Sequence, residues 1–465
     1  MLDRIDDIDW RRLGHAYGSA GDVPDQLRAL CSPDQTEREG AFGDLYSNIF
    51  HQGSRYEASA YAVPFLLDMV ADPATPDREL VLYLLTCLAM GYDESWLPDG
   101  FPVAEYRRVS EGGRELLAAK PPSSEENDDP EARYLRALGR DDQNRLYAYY
   151  ELATYDAVRA GVPMLRTLLA HPDPGLRAGA AYALAWFPEE AAGSLPALGA
   201  AVSTALAADD RTTAQATDGP AAGGATTDGP TADESATGGP AVDGPAVDGP
   251  ATGGPATGGS AGGATAGQPA GVREAEVAAT ALVAAGLLGS APDRALLTDP
   301  RPVVRWAAAV ARARVLGSDA DDATVEELLG WTTAAPRGRR RSAEDVPVPF
   351  LNGDLAGYAA LALRQVGPRH ADRAFDALLD RLPAVEGVEA LPVATEALRL
   401  AFPDGPRAAG TPPQALTGRQ RRLAEVLASS PLPWSVDGHR FANFSLLLDE
   451  YGLPRSHDEM VAYLR

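Results

Sequence analysis

Lysine is almost missing from this chain: Lys120, in LLAAKPP, is the only one among the 41 basic residues. Nothing around it resembles the Gly-rich run of a phosphate-binding loop, which removes P-loop chemistry and nearly removes Schiff-base chemistry. Cysteine is as scarce. Cys31 and Cys87 fall in separate helical patterns with no C-x-x-C or Cys/His cluster, so neither a disulfide framework nor a zinc site is indicated and two buried, reduced thiols are expected. No stretch approaches 18 uninterrupted apolar residues, and MLDRIDDIDWRR mixes acids into its first ten residues without an apolar core of secretory length. A cytoplasmic protein is expected. Positive charge is outnumbered, 66 acids against 41 bases giving a formal charge of −25. Such a surface repels phosphate backbones and anionic lipid, which argues against nucleic acid and membrane as partners.

At 465 residues the chain would ordinarily divide into two or three domains. What divides it visibly is the stretch 211–271, where composition collapses to Gly, Ala, Pro, Thr and Asp, with Gly-Pro recurring at Pro240, Pro245, Pro250 and Pro255. It cannot bury enough apolar surface to offset the entropy of ordering it, and is expected to be disordered. Its one literal G-x-S-x-G, at Gly258 to Gly262, lacks the strand and helix that a nucleophile elbow needs.

Elsewhere nearly every apolar run has helical spacing, with no convincing set of alternating strands, so an all-α chain is expected. It repeats itself. YEASAYAVPFLLDMVADP (from Tyr56) and YDAVRAGVPMLRTLLAHP (from Tyr155) share Tyr, an acid, Ala, Val-Pro, Leu, Ala and Pro at matching offsets. Each reads as a helix with a proline kink near its middle. In HPDPGLRAGAAYALAWF, Asp173 suits a helix cap and Pro174 the first turn, followed by small residues at Ala180, Ala181 and Ala183. DPRPVVRWAAAVARA places Arg305, Ala308, Ala309 and Ala311 alike; GDLAGYAALALRQVG and LPVATEALRLAF follow the pattern, and weaker copies start at Arg38 and Arg78. Small residues at these spacings let helices approach closely, so each unit reads as a helical hairpin stacked on the next. SLPALGAAVSTALAADD before the tract and VREAEVAATALVAAGLLG after it read as the two helices of one unit. The expected organisation is therefore one array, with residues 1–210 as its first half, 211–271 as an insertion, and 272–465 as its second half.

The Asp-Pro starts with their following arginines and alanines, together with the proline-kinked first helices, resemble HEAT repeats, particularly the short HEAT-like repeats first associated with phycobilisome lyases. The likeness covers most of residues 30 to 405 outside the insertion. It implies an armadillo-type fold, a right-handed α-solenoid of roughly seven or eight hairpins. It implies little about the task, since such repeats serve scaffolds, adaptors, enzymes and nucleic-acid binders. The chain departs from a tidy array at the acidic stretch Ser123 to Asp129, at the insertion, and at the loop from about Thr332 to Pro349.

Four places are candidates for function. LYSNIFHQGSRYEASAY concentrates Tyr46, Asn48, His51, Gln52, Arg55, Tyr56, Glu57 and Tyr61 at an inter-helix turn, and aromatics beside Arg and Asn make good anchors for a partner. The competing and favoured explanation is a capping network of hydrogen-bonded Tyr and His, because Tyr and an acid recur at Tyr155 and Asp156. The six histidines never precede Glu, unlike the paired His-Glu of HEAT-repeat dimetal hydroxylases, so no metal is expected, and His171 reads as a neighbour of a helix cap. Arg337, Arg339, Arg340 and Arg341 form the only dense positive cluster, but Glu344 and Asp345 follow at once and a solvated loop is favoured. The C-terminal Trp434, Phe441, Phe444 and Tyr451, with Leu446, Leu447 and Leu448, read as the cap over the last hydrophobic face.

The expected function is a scaffold or adaptor that binds a protein or peptide, with no catalysis and no cofactor of its own. One alternative is an antitoxin-like immunity protein whose acidic surface neutralises a basic toxin. The other is an enzyme of the bilin-lyase kind, on the fold resemblance alone.

Overall fold

The computed structural model describes residues 2–122, 130–218, 273–334, 348–408 and 410–465. Most of the 211–271 tract, the acidic stretch Ser123 to Asp129 and the arginine run at 337–341 lie outside the described residues. The structure is all-α. In chain order the helices are α1 (Val23–Ala29), α2 (Gln35–Asn48), α3 (Glu57–Ala71), α4 (Arg78–Met90), α5 (Val103–Val109), α6 (Gly113–Ala119), α7 (Pro130–Ala137), α8 (Arg140–Arg159), α9 (Val162–Leu168) and α10 (Pro174–Leu184). They continue with α11 (Ala191–Asp218), α12 (Glu274–Leu287), α13 (Pro302–Leu316), α14 (Asp322–Thr332), α15 (Leu355–Ala362), α16 (Ala371–Arg381), α17 (Gly387–Ala401), α18 (Gly418–Ser429), α19 (Ala442–Glu450) and α20 (His457–Tyr463). Among the described residues, three two-residue antiparallel ladders lie between them: β1 (Gly14–His15) with β2 (Gly18–Ser19), β3 (Phe50–His51) with β4 (Ser54–Arg55), and β5 (Ser435–Val436) with β6 (His439–Arg440).

The middle ladder corrects the expectation of a plain inter-helix turn before Tyr56. Gln52 and Gly53 both adopt positive φ, 48° and 84°, the combination that closes a tight two-residue hairpin. Asp437 and Gly438, at 51° and 78°, do the same between β5 and β6.

Helix starts explain the recurring sequence pattern. The Asp173 carboxylate accepts from the Gly175 and Leu176 amides at 2.8 and 3.4 Å, with Pro174 in the first turn, and Asp34 caps α2 in the same way. The repeated arginine has its own job. Arg38, Arg177 and Arg305 each fold Nη1 back onto the carbonyls six and five residues earlier, at 3.0 and 3.2, 2.9 and 3.3, and 2.9 and 3.5 Å. A charged donor thereby satisfies the loop carbonyls that precede the helix, the two contacts sharing one nitrogen and together worth roughly 1.5–3 kcal/mol.

The two Tyr-to-Pro segments that align in sequence diverge in structure. α3 is continuous through Pro64, whereas the second copy is divided: Tyr155 sits near the end of α8, and Val162 and Pro163 open α9. The break falls at Gly161, where a Cβ would run into the Leu67 side chain of α3, so this close approach requires glycine. Pro163 in the first turn gives up no helical hydrogen bond.

Packing passes along the chain. α3 and α8 lie against each other and against α4; α4 packs on α10, α10 on α12, α12 on α13, α13 on α15 and α15 on α17. Helices α9, α11, α14, α16 and α18 each lie against a member of that row. α11 and α12 pack on each other, and Arg177 of α10 pairs with Glu274 of α12. α11 runs past the expected boundary at 210 to Asp218, because 211–218 holds neither Gly nor Pro and Gly-Pro follows directly. The span Pro188–Arg211, which begins in the turn before α11, is long and apolar enough to cross a membrane by length and composition, and Leu198, Ala201, Val202 and Ala205 are buried on it.

One cluster of buried side chains extends from Ile5 to Ala374 and a second from Ala360 to Met460, so α15 contributes to both. Trp306 is wholly buried and donates to the Leu355 carbonyl at 2.8 Å, fixing α13 to α15. Burying an indole removes about 150–250 Å² from water, roughly 4–6 kcal/mol of favourable transfer. At the far end, Trp434, Phe444, Leu448 and Met460 are buried beneath α17 and α18.

Among the described residues, one connection reaches far beyond its neighbours in the row. The segment 91–101, after α4, reaches residues more than two hundred positions later: Asp93 to Leu351, Pro98 to Gln365, and Asp99 to Arg314 and Arg364.

Candidate functional site

The β3–β4 hairpin sorts the eight candidate residues by its pleat. Phe50 pairs with Arg55 and His51 with Ser54, and cross-strand partners share a face. Phe50 and Arg55 are buried, at 0% and 2% exposed, so His51 and Ser54 face outward. Arg55 then turns its guanidinium toward the Glu151 carboxylate of α8 at 3.4 Å and donates to the Gly53 carbonyl. It is a structural ion pair, out of reach of a docking partner.

Three more of the eight are also committed inside. Tyr46 packs its ring on Phe50 and Tyr83, with centroids 4.9 and 6.5 Å apart, and burial raises its hydroxyl well above the ordinary tyrosine range. Asn48 donates to Asp22 at 3.0 Å and its carbonyl accepts from Ala16, which ties the end of α2 to the first hairpin. Glu57 lies 2.8 Å from the Lys120 ammonium and accepts from the Gly14 amide at 3.3 Å. His51, Gln52, Tyr56 and Tyr61 remain at or near the surface, Tyr61 with 44% exposed.

These four are joined by side chains not singled out from the sequence. Tyr17, between β1 and β2, is 67% exposed; its hydroxyl is 3.3 Å from His51 Nδ1 and the two rings meet edge to face at 5.3 Å. Its signal was the isolated aromatic in GHAYGS, a short Gly-flanked turn. Tyr56 lies among Tyr147, Tyr17 and Glu151; burial first, then these neighbours, pushes its hydroxyl up to about 12. His15 and Gln26 both hold Asp22, at 3.0 and 2.8 Å.

Behind this corner sits the chain's single lysine. The Lys120 side chain is 2% exposed and clamped between Glu57 and Glu131 at 2.8 and 2.9 Å. Burial pulls its pKa down, but the two carboxylates outweigh it and hold the ammonium above the ordinary lysine value. A lysine kept charged in this way is no nucleophile, in keeping with a stabilising role for the cluster. The Tyr150 hydroxyl nearby is buried and has no hydrogen-bond partner among the described residues.

Elsewhere, His171 accepts from the Asp173 amide at 3.1 Å beside that helix cap, and Tyr155, wholly buried, donates to Glu189 at 3.1 Å. Tyr155 therefore does not repeat the placement of Tyr56, which stands at the start of α3. Among the described residues no group of three His, Cys, Asp or Glu side chains is placed to share a metal ion. No protein-family model matches the chain, and no curated protein matches it.

Proposed function

We propose that the chain is a HEAT-like, right-handed α-solenoid that works as a scaffold or adaptor without catalysis of its own, and that it docks a protein or peptide presenting positive charge at the corner formed by Tyr17, His51, Gln52, Tyr56 and Tyr61. The observation carrying this reading is the division of labour at the corner. Tyr17 and Tyr61 stand outward, at 67% and 44% exposed, while Arg55 and Lys120, which lie behind the corner, are buried and paired with carboxylates. Charge points the same way: residues 1–75 contain thirteen acids against six arginines. Aromatic faces beside carboxylates favour guanidinium and ammonium groups, at about 0.5–2 kcal/mol for each cation over a ring. The hairpins hold those rings in place, which lowers the entropic cost of docking.

Affinity capture from the producing cells with the full chain tests the proposal. The wild type and a Leu446→Ala control should retain the same basic protein, and a Tyr17→Ala/Tyr61→Ala variant should retain at least about tenfold less, as expected for the loss of interface anchors. Retention should also fall as salt rises. Equal retention by all three chains, or a partner without a basic surface, overturns the proposal.

A further inference from the structure

The segment 91–101 grips residues more than two hundred positions later through several polar contacts. The Asp93 carboxylate, on a residue only 5% exposed, accepts from the Leu351 amide at 2.8 Å. The Pro98 carbonyl accepts from the Gln365 side chain at 3.1 Å. Asp99 pairs with Arg364 at 3.1 Å, and its carbonyl accepts from Arg314 at 2.6 Å. Leu97 and Phe101 are buried, Phe101 with its ring against Tyr106 and Tyr155 at 5.0 and 5.1 Å. The outer contacts, at Asp99, are exposed and therefore individually weak. The inner contact, at Asp93, is enclosed.

We propose that residues 91–101 form a pH-gated clasp, seated on α13, α15 and the turn at 350–353 while Asp93 is protonated and released as Asp93 ionises. The environment of Asp93 supplies the gate. Its neighbours are Glu94 in its own turn, Cys87 and Tyr83 from α4, Tyr182 from α10, Tyr358 from α15 and the Leu351 amide. Burial, then the negative charge of Glu94, pushes the carboxyl up to about 7, while hydrogen bonds from Leu351 and Tyr182 pull the other way. Released into water, the same group would titrate near 3.9. The seated clasp therefore retains a proton that the released one gives up between those values, so closure is strongest below about pH 4 and is progressively lost as pH rises through 7. Between pH 5.5 and pH 8.5 these two values correspond to a change of about thirtyfold in the opening constant, with most of it below pH 7.

Amide hydrogen exchange of the full chain, followed by mass spectrometry on peptides covering 91–101 and Leu351, reads that constant once the intrinsic pH dependence of exchange is divided out. The expected result is about a thirtyfold rise in opening from pH 5.5 to 8.5 in the wild type and no rise in Asp93→Asn, with peptides of α12 unchanged in both. Asp99→Ala removes the Arg364 pair without touching the gate, and should raise opening by the same factor at every pH while preserving the wild-type slope. A pH-independent wild type overturns the proposal. So does the wild-type slope in Asp93→Asn, or the loss of that slope in Asp99→Ala.

Discussion

Gly286 sets helix propensity against packing. It lies in α12 facing α13, and a Cβ built on it would come 2.6 Å from both Cα and Cβ of Ala311. Comfortable carbon contacts are about 3.5–4.0 Å, so the methyl group would overlap by roughly 1 Å with backbone that has no rotamer in which to retreat. Replacing Gly by Ala in a helix ordinarily gains up to about 1 kcal/mol, less near a helix end, where Gly286 stands. Overfilling a packed contact costs about 1–3 kcal/mol. The clash should win, and Gly286→Ala should be destabilised by about 1–2 kcal/mol. Gly199 is the matched control: it lies on the exposed side of α11, with nothing within 4 Å of its virtual Cβ, so Gly199→Ala should gain a few tenths to about 1 kcal/mol. Urea denaturation followed by tryptophan fluorescence, comparing midpoints of the three chains, measures both. If Gly286→Ala proves at least as stable as Gly199→Ala, the close approach of α12 to α13 is wrong.

The lysine clamp should behave as a buried charge triad. Lys120→Met leaves Glu57 and Glu131 facing each other without their cation and should cost about 3–5 kcal/mol in the same assay, much of it restored by adding Glu131→Gln. The recurring arginines should matter one by one: Arg177→Ala and Arg305→Ala each lose two carbonyl contacts and should cost about 1.5–3 kcal/mol, whereas losses under about 0.5 kcal/mol would show that the loops need no such tether. The two thiols should differ in reactivity. Burial first, against the pull of the Tyr83 hydrogen bond, pushes Cys87 up to about 12, and only 2% of it is exposed. At pH 8 an aromatic disulfide reagent should therefore label the partly exposed Cys31 in the native chain and reach Cys87 only on unfolding.

Much of the helical architecture was legible because local causes set it. Asp173 before Pro174 marks a helix start whatever lies beyond, and the arginine four residues after the cap binds carbonyls in its own preceding loop. Both signals act within seven residues, so they survive in a bare sequence. The close approach at Gly161 did not, because it is made by Leu67, nearly a hundred residues away, lying where a Cβ would go. The segment 91–101 was illegible for a stronger form of the same reason. Its partners lie 215 to 267 positions later, and the residues that meet them, Asp93, Pro98 and Asp99, look like any turn.

The candidate corner shows how one local choice decides a site. Read as a loop, HQGSRY offers every polar residue to a partner alike. Read as a hairpin, it offers alternate ones, because Gln52 and Gly53 at positive φ fix a two-residue turn and thereby the register Phe50 to Arg55. Slipping that register by one residue would expose Arg55 and bury His51, leaving a guanidinium at the surface and Glu151 without its partner. The corner would then attract anions. On the proposed reading, the turn pair therefore sets which sign of charge the surface would accept. Replacing Gly53, at φ 84°, with Val, which disfavours that conformation, should disturb the placement of His51 against Tyr17 and weaken capture of a basic partner, although neither ring is altered. If Gly53→Val holds the partner as tightly as the wild type, the hairpin does not position the corner, and the exposed rings act independently of the turn beneath them.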